Sequence, residues 1–233
     1  MQIGYLILHG GEAFTPKSKD FDYIWLQLIR SQHRRPRVVV VPLATTANPG
    51  KVGEAATTYY KALGSFAEYT LITDQLSANT PQYYDILNKV EAICLADGNP
   101  TEIVEQLRGT HTETALHNAL QRKAAVMGTG ASAMAFGAAY WLGGDWEPGL
   151  AIAPHLAVIP HHEHVQMRLS PERLMAELPE GVTILGLDEA TGVIIHPDGT
   201  YQVAGRGNVT VYRSVEHQDE YRGGETFTLT STD

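Results

Sequence analysis

A three-layer α/β/α sandwich around a mostly parallel central sheet is the fold this sequence predicts, and three observations carry the expectation. Short β-branched runs alternate with longer helical patterns over residues 1–127, the pattern of a parallel sheet covered on both faces by right-handed crossovers. The run Val38-Val39-Val40-Val41 shows no polar alternation, as a strand buried on both faces requires. Two turns, Ala96-Asp97-Gly98-Asn99-Pro100 and Gly128-Thr129-Gly130-Ala131-Ser132-Ala133-Met134, each follow a strand and open a helix. In open α/β sheets the chemistry sits at such carboxyl strand ends.

Taken in order, Ile3 to Leu8 reads as the first strand, closed by His9-Gly10-Gly11. Asp20 to Gln32 carries bunched apolar residues at Tyr23, Ile24, Leu26 and Leu28 and reads as a helix. After the valine run come a helix from Val52 to Leu63 and a strand from Ala67 to Ile72. Thr80-Pro81 opens a helix with proline at its first position, where the missing N–H costs nothing. Ala92 to Leu95 is the fourth strand, and Asn99-Pro100-Thr101-Glu102 has the spacing of a capping box. Helical stretches at 100–108 and 111–122 lead to the strand Ala124–Met127. Beyond residue 150 the pattern turns to strands and turns, with one helix opened by Ser170-Pro171. His196-Pro197-Asp198-Gly199-Thr200 is a turn, so Val193–Ile195 and Tyr201–Val203 read as a C-terminal β-hairpin. There is no linker, composition break or internal repeat, and residues 1–233 are expected to form a single α/β domain.

A 233-residue chain of 25.5 kDa scales to roughly 10,000 Å² of folded surface against about 37,000 Å² unfolded, so no disulfide or metal staple is needed. The composition, 43% hydrophobic and 18% charged, is that of a globular protein rather than a disordered one. A formal charge of −9 argues against nucleic acid as a partner, because that affinity comes largely from phosphate neutralisation. The basic cluster Arg30, Arg34, Arg35 and Arg37 reads as a solvated helix end. Cys94 is the only cysteine, which excludes an internal disulfide and any multi-cysteine metal site; within Ala92-Ile93-Cys94-Leu95 it reads as a buried strand residue. No apolar stretch reaches the ~18 residues of a membrane span, and the N-terminus lacks the pattern of a signal peptide. A cytoplasmic protein without a membrane partner is the expectation.

At the second turn the sequence resembles a known family. The chain is similar to the serine peptidases that include cyanophycinase and aspartyl dipeptidase (dipeptidase E), which have a class I glutamine amidotransferase-like (flavodoxin-like) fold. The resemblance runs nearly end to end: Gly10-Gly11-Glu12, Pro42-Leu43-Ala44, Asp97-Gly98-Asn99, Leu107-Arg108-Gly109-Thr110, the Gly128-Thr129 elbow, His164-Val165-Gln166-Met167-Arg168 with Arg173-Leu174, and Gly186-Leu187-Asp188-Glu189-Ala190-Thr191. It implies a serine hydrolase of small aspartyl or β-aspartyl peptides that uses no cofactor and no metal. The family elbow reads G-T-S-A-G-A with the nucleophile third; here it reads G-T-G-A-S-A, so Gly130 holds the nucleophile position and the serine is Ser132. The family histidine falls on His164. The acid that orients it is Glu189 or Asp145, and Gly98 and Ala131 match the oxyanion-hole positions. Asp97, Asn99, Thr129, Gly130 and Arg168 are the expected substrate contacts.

A glycine has no oxygen with which to attack a carbonyl, and a triad without its nucleophile leaves only binding and the oxyanion hole. Either Ser132 acts from a shifted elbow, or the inherited pocket binds a peptide or amino acid without turnover. An engineered knockout fits less well, because it would leave glycine at 132. Two positions along a helix start rotate a side chain by roughly 200°, so the bland role of Ser132 is a first-turn hydroxyl bonding a free N–H. Pro160-His161-His162-Glu163-His164 invites a zinc reading, but lacks the i, i+4 histidine pair of metal hydrolases. His162 falls where the family has an acidic residue, and Ser170 where it has a second basic one. Asn99 has a sufficient role as a helix cap. Arg168 and Arg173 suit ion pairs on their own helix, or Arg168 a bidentate grip on a substrate carboxylate. Tyr140, Trp141 and Trp146 suit a pocket lining or a homodimer contact. Amidotransferase chemistry needs a cysteine at the elbow, and Cys94 is on the wrong strand.

Overall fold

Five of the apolar runs pair in parallel. In the computed structural model, which describes residues 4–32 and 34–229, they are β1 (Tyr5–His9), β2 (Arg37–Val41), β3 (Phe66–Tyr69), β4 (Ala92–Leu95) and β5 (Ala125–Thr129), side by side as β1-β5-β4-β2-β3. The expected strand start at Ile3 lies outside the described residues. Between the strands run α1 (Lys19–Arg30), α2 (Pro49–Ala62), the short α3 (Gln75–Ala78) and α4 (Pro81–Leu87), α5 (Pro100–Leu107) and α6 (His111–Leu120). Side-chain caps start several of them: Asn48 accepts from the Lys51 N–H, Asn99 from Glu102 and Thr110 from Glu113. Only the Asn99 half of the expected capping box forms.

β2 shows how the sheet divides the core. Val38 and Val40 join Trp25, Leu26 and Tyr60 on the α1–α2 face, while Val39 and Val41 join Ile103, Leu107 and Leu116 on the α5–α6 face. All four valines are fully buried, each contributing about 1.5–3 kcal/mol on transfer from water. Cys94 is buried on the first of these faces, as expected, with its thiol against the Tyr60 hydroxyl.

After β5 come α7 (Ala131–Phe136), β6 (Gly137–Leu142), β7 (Asp145–Pro148), β8 (Ala153–Pro160), α8 (His162–Val165), α9 (Pro171–Met175), β9 (Thr183–Leu187), β10 (Thr191–Ile195), β11 (Tyr201–Gly205), β12 (Asn208–Tyr212), β13 (Gln218–Arg222) and β14 (Thr226–Phe227). The expected hairpin is β10–β11, with Ile195 opposite Tyr201. It lies antiparallel on β1 and is extended by β14. The sequence reading lacked a second sheet, ordered β13-β12-β9-β8-β6-β7. Besides the β6–β7 and β12–β13 hairpins, it joins strands that are not neighbours in sequence, β6 with β8 and β9 with β12, and periodicity marks a strand without naming its partner. Phe136 of α7 and Leu156, Val158 and Val211 of the second sheet join the α5–α6 core, so the two sheets share one apolar interior. Among the described residues no helix is long and apolar enough to cross a membrane.

Candidate active site

The sharp bend expected after the fifth strand is present, and Gly130 is its tip. Its φ of 53° and ψ of −118° lie where a side chain is strained and glycine is not. The Gly130 N–H donates to the His9 carbonyl at 2.9 Å, tying the bend to the end of β1, and its own carbonyl accepts from Met134 at 3.1 Å to begin α7. This is the strand–turn–helix geometry that lifts a nucleophile clear of a sheet.

Beside the tip stands Asp97, at the end of β4. Its Oδ1 accepts from the Gly98 N–H at 2.8 Å and from the Ala131 N–H at 2.7 Å. The two donors expected to form an oxyanion hole therefore converge on one carboxylate oxygen. A Cβ on Gly130 would lie 2.4–2.5 Å from the Asp97 carboxylate atoms, so Asp97 also fills the room a side chain at 130 would take.

The elbow hydroxyls are engaged elsewhere. Ser132 is 1% exposed, and its Oγ donates to the Ala96 carbonyl at 2.6 Å; the sequence had it accepting from a free N–H. Buried Thr129 donates to the Leu95 carbonyl at 3.3 Å. Asn99 is exposed and caps α5.

Beyond the end of β1 it is the His161 ring that packs on the Gly10-Gly11 turn, while the expected His164 is largely exposed. His161 has left-handed backbone (φ 49°, ψ 40°), and its N–H donates to the Gly10 carbonyl at 2.8 Å. Its ring packs so closely on Gly11 that a Cβ there would lie 2.2 Å from it. His161 Nδ1 lies 2.9 Å from Glu189 Oε1. His164 Nε2 is 3.7 Å from the same oxygen, with its side chain 59% exposed. Both carboxylate oxygens of Glu163 accept from the Glu189 N–H at 3.1 Å. Underneath lies buried His9, whose Nδ1 accepts from the Gly11 N–H and whose Nε2 meets the Ser18 hydroxyl. Burial, with His161 alongside, pushes the His9 pKa down to about 3, so this ring is neutral. The resemblance points to His164; the chain bend at His161 instead brings the His161 ring to within 2.9 Å of Glu189.

The remaining expected residues make no hydrogen bond or ion pair to the elbow among the described residues. Asp145 on β7 is 71% exposed and pairs with Arg173 at 3.9 Å. Arg168 is exposed beyond α8. His162 is buried against Tyr212, with Nε2 2.7 Å from the phenol oxygen, and burial lowers its pKa. Tyr140 is buried in the core, while Trp141 and Trp146 pack edge to face near α9, where the Trp146 indole donates to the Leu174 carbonyl.

Glu163, His164 and Glu189 offer ligand atoms within 4.8 Å of one another, a carboxylate–imidazole set of the kind first-row divalent metals accept. Glu189 comes from a distant loop, so spacing within 160–164 does not reveal the group. A cavity of 280 Å³ opens at the strand ends beside Asp97 and Thr129, bounded by the loop after β1. A larger one, 610 Å³, lies instead at the β3 edge, where Arg35 stacks on Phe66 and Arg37 pairs with Glu68.

The sequence model of peptidase family S51 matches residues 6–203. Among solved structures the chain is similar to a peptidase from an acI-B1 Actinobacterium, with 18% identity, a TM-score of 0.85 and 98% of each chain covered. It is also similar to a putative Peptidase E protein from Listeria monocytogenes EGD-e, with 14% identity, a TM-score of 0.63 and coverage of 88% of this chain and 99% of that one. No curated relative matches the sequence. At these identities the structural likenesses speak for the fold alone.

Proposed function

The chain belongs to peptidase family S51, and on that premise we propose that it is a non-hydrolytic member, binding a small peptide or amino acid in the pocket beside the elbow. The observation that carries this reading is Asp97 Oδ1, held by the Gly98 and Ala131 N–H groups. Serine-peptidase chemistry needs those donors at the oxygen that gains negative charge in the transition state. Losing one such donor typically costs 10²–10³-fold in turnover. Here both are occupied, and the occupant is itself an anion that repels a developing oxyanion. Gly130 supplies no nucleophile, and the Ser132 hydroxyl is spent on Ala96.

The acid–imidazole half of a triad is represented by Glu189 and His161, 2.9 Å apart. In this reading the pair stands outside the lining of the pocket and moves no proton. The test is incubation of the protein with aspartyl and β-aspartyl dipeptides, followed by product analysis. The expected result is no release above a buffer blank, together with a ligand-dependent rise in melting temperature. Turnover that disappears in Ser132→Ala overturns the reading and makes Ser132 the nucleophile.

A further inference from the structure

We propose that the 280 Å³ pocket selects a small organic cation, a primary ammonium such as the free amino group of a short peptide, with Asp97 and Glu12 as its counter-charges. This rests on the non-hydrolytic reading and names the ligand class of the same pocket. A cradle of converging N–H groups is built to hold negative charge. Here a carboxylate of the chain already fills it, so what the site presents outward is an anion. Asp97 Oδ1 is pinned by the two backbone donors, while among the described residues Oδ2 carries no hydrogen bond. Asp97 is exposed and lines the cavity, so its carboxylate is within reach of a ligand.

The other walls have the same polarity. Asp97 and Glu12 are the charged residues lining the cavity, and both are acidic. Glu12 pairs with Lys17 at 3.3 Å, but that lysine is 64% exposed and does not line the cavity. Such surface pairs hold weakly enough for a ligand cation to compete. Thr15, Thr45 and Thr129 donate their hydroxyl protons to the carbonyls of Glu12, Ala47 and Leu95, so towards a ligand they offer lone pairs. Phe14 adds an aromatic lining, a surface that also attracts cations. An ammonium brings three donors and no acceptor, the complement of carboxylate and hydroxyl lone pairs.

The experiment is isothermal titration at pH 7 and low salt with two probes, alanyl-alaninamide (ammonium, no carboxylate) and N-acetyl-alanyl-alanine (carboxylate, no ammonium). The first is expected to bind saturably and the second not. Asp97→Asn keeps an oxygen for the two N–H groups and is expected to weaken the first probe about tenfold with the melting temperature maintained. Glu12→Gln gives a smaller loss, about two- to fivefold, as fits a counter-charge shared with Lys17. Equal or tighter binding of the acetylated probe, no binding of either, or an unchanged affinity in Asp97→Asn overturns the proposal. Mass analysis of the same mixtures separates the two readings. Cleavage of alanyl-alaninamide ends the non-hydrolytic reading, whereas intact probes with the wrong selectivity end only the cation proposal.

Discussion

The two flanks of the elbow differ in what they hold. On the β1 side, His161 and Glu189 stand 2.9 Å apart over neutral His9, an acid–imidazole pair of the kind a peptidase uses to move a proton. On the β4 side the bend has a glycine at its tip, and the Asp97 carboxylate takes the Gly98 and Ala131 N–H groups. In the non-hydrolytic reading one flank keeps an acid–imidazole pair, while the other has its polarity reversed by Asp97 and no nucleophile at Gly130. Fold and catalytic competence therefore rest on different residues: the bend needs only a residue tolerant of positive φ, while the chemistry needs a hydroxyl at its tip and an empty pair of donors.

The largest effect that sharpens this contrast is on stability, at His9. Burial lowers its pKa from 6.5 to about 3, so between those values the unfolded chain binds the extra proton. The stability contributed is fully present above pH 6.5 and is lost as pH falls towards 3, by about 5 kcal/mol at the limit. Asp22, under α1, has the opposite sign. Burial raises its pKa from 3.8 to about 6 against the hydrogen bonds from Trp25, Tyr59 and Tyr60. Its contribution is present below pH 3.8 and is lost as pH rises through 6, by about 3 kcal/mol. Between pH 4 and 6 the two slopes are opposite and nearly equal, so urea denaturation is expected to show nearly constant stability there and a small rise between pH 6 and 6.5. His9→Gln should turn that flat stretch into a fall and Asp22→Asn should turn it into a rise, each of about 3 kcal/mol from pH 4 to 6. A slope unchanged in both variants breaks the assignment of these two groups as the buried titrating pair.

The next effect tests the reversed flank directly. Gly130→Ser alone places a side chain against the Asp97 carboxylate and leaves the cradle occupied. Gly130→Ser with Asp97→Gly supplies the hydroxyl and frees both donors. The double variant is expected to hydrolyse aspartyl dipeptides at least about 100-fold faster than the single one, the scale of an oxyanion-hole donor. Equal rates in the two would show that Asp97 is not what blocks the site.

Much of this was legible in the sequence, for reasons particular to each element. The valine run of β2, Pro100 after the cap Asn99, and the Pro-Asp-Gly turn of the β10–β11 hairpin are local signals, and local physics fixes what they form. The elbow was legible for the same reason, since small residues between a strand and a helix have few alternatives. What escaped was what depends on contacts between distant segments. The second sheet joins strands that no periodicity links. The bend at His161 is tied to Gly10, some 150 residues earlier, which spacing within 160–164 does not reveal. The role of Asp97 appears only when β4 and β5 lie side by side and bring the Ala131 N–H to its carboxylate.

The smallest effect concerns Ser132 and separates a structural hydroxyl from a reactive one. Its Oγ is buried and donates at 2.6 Å to the Ala96 carbonyl, one residue before Asp97. Ser132→Ala removes that bond and leaves the carbonyl short of a partner, which costs about 1–3 kcal/mol. Alanine recovers about 0.5 kcal/mol through its better helix propensity in the first turn of α7. The net loss expected in urea denaturation is therefore about 0.5–2.5 kcal/mol, with the affinity for alanyl-alaninamide within twofold of the parent. A stability loss paired with unchanged binding places Ser132 among the supports of the Asp97 turn. A loss of binding much larger than twofold instead puts its hydroxyl in contact with the ligand, and the polarity assigned to the elbow would have to be redrawn around a donor.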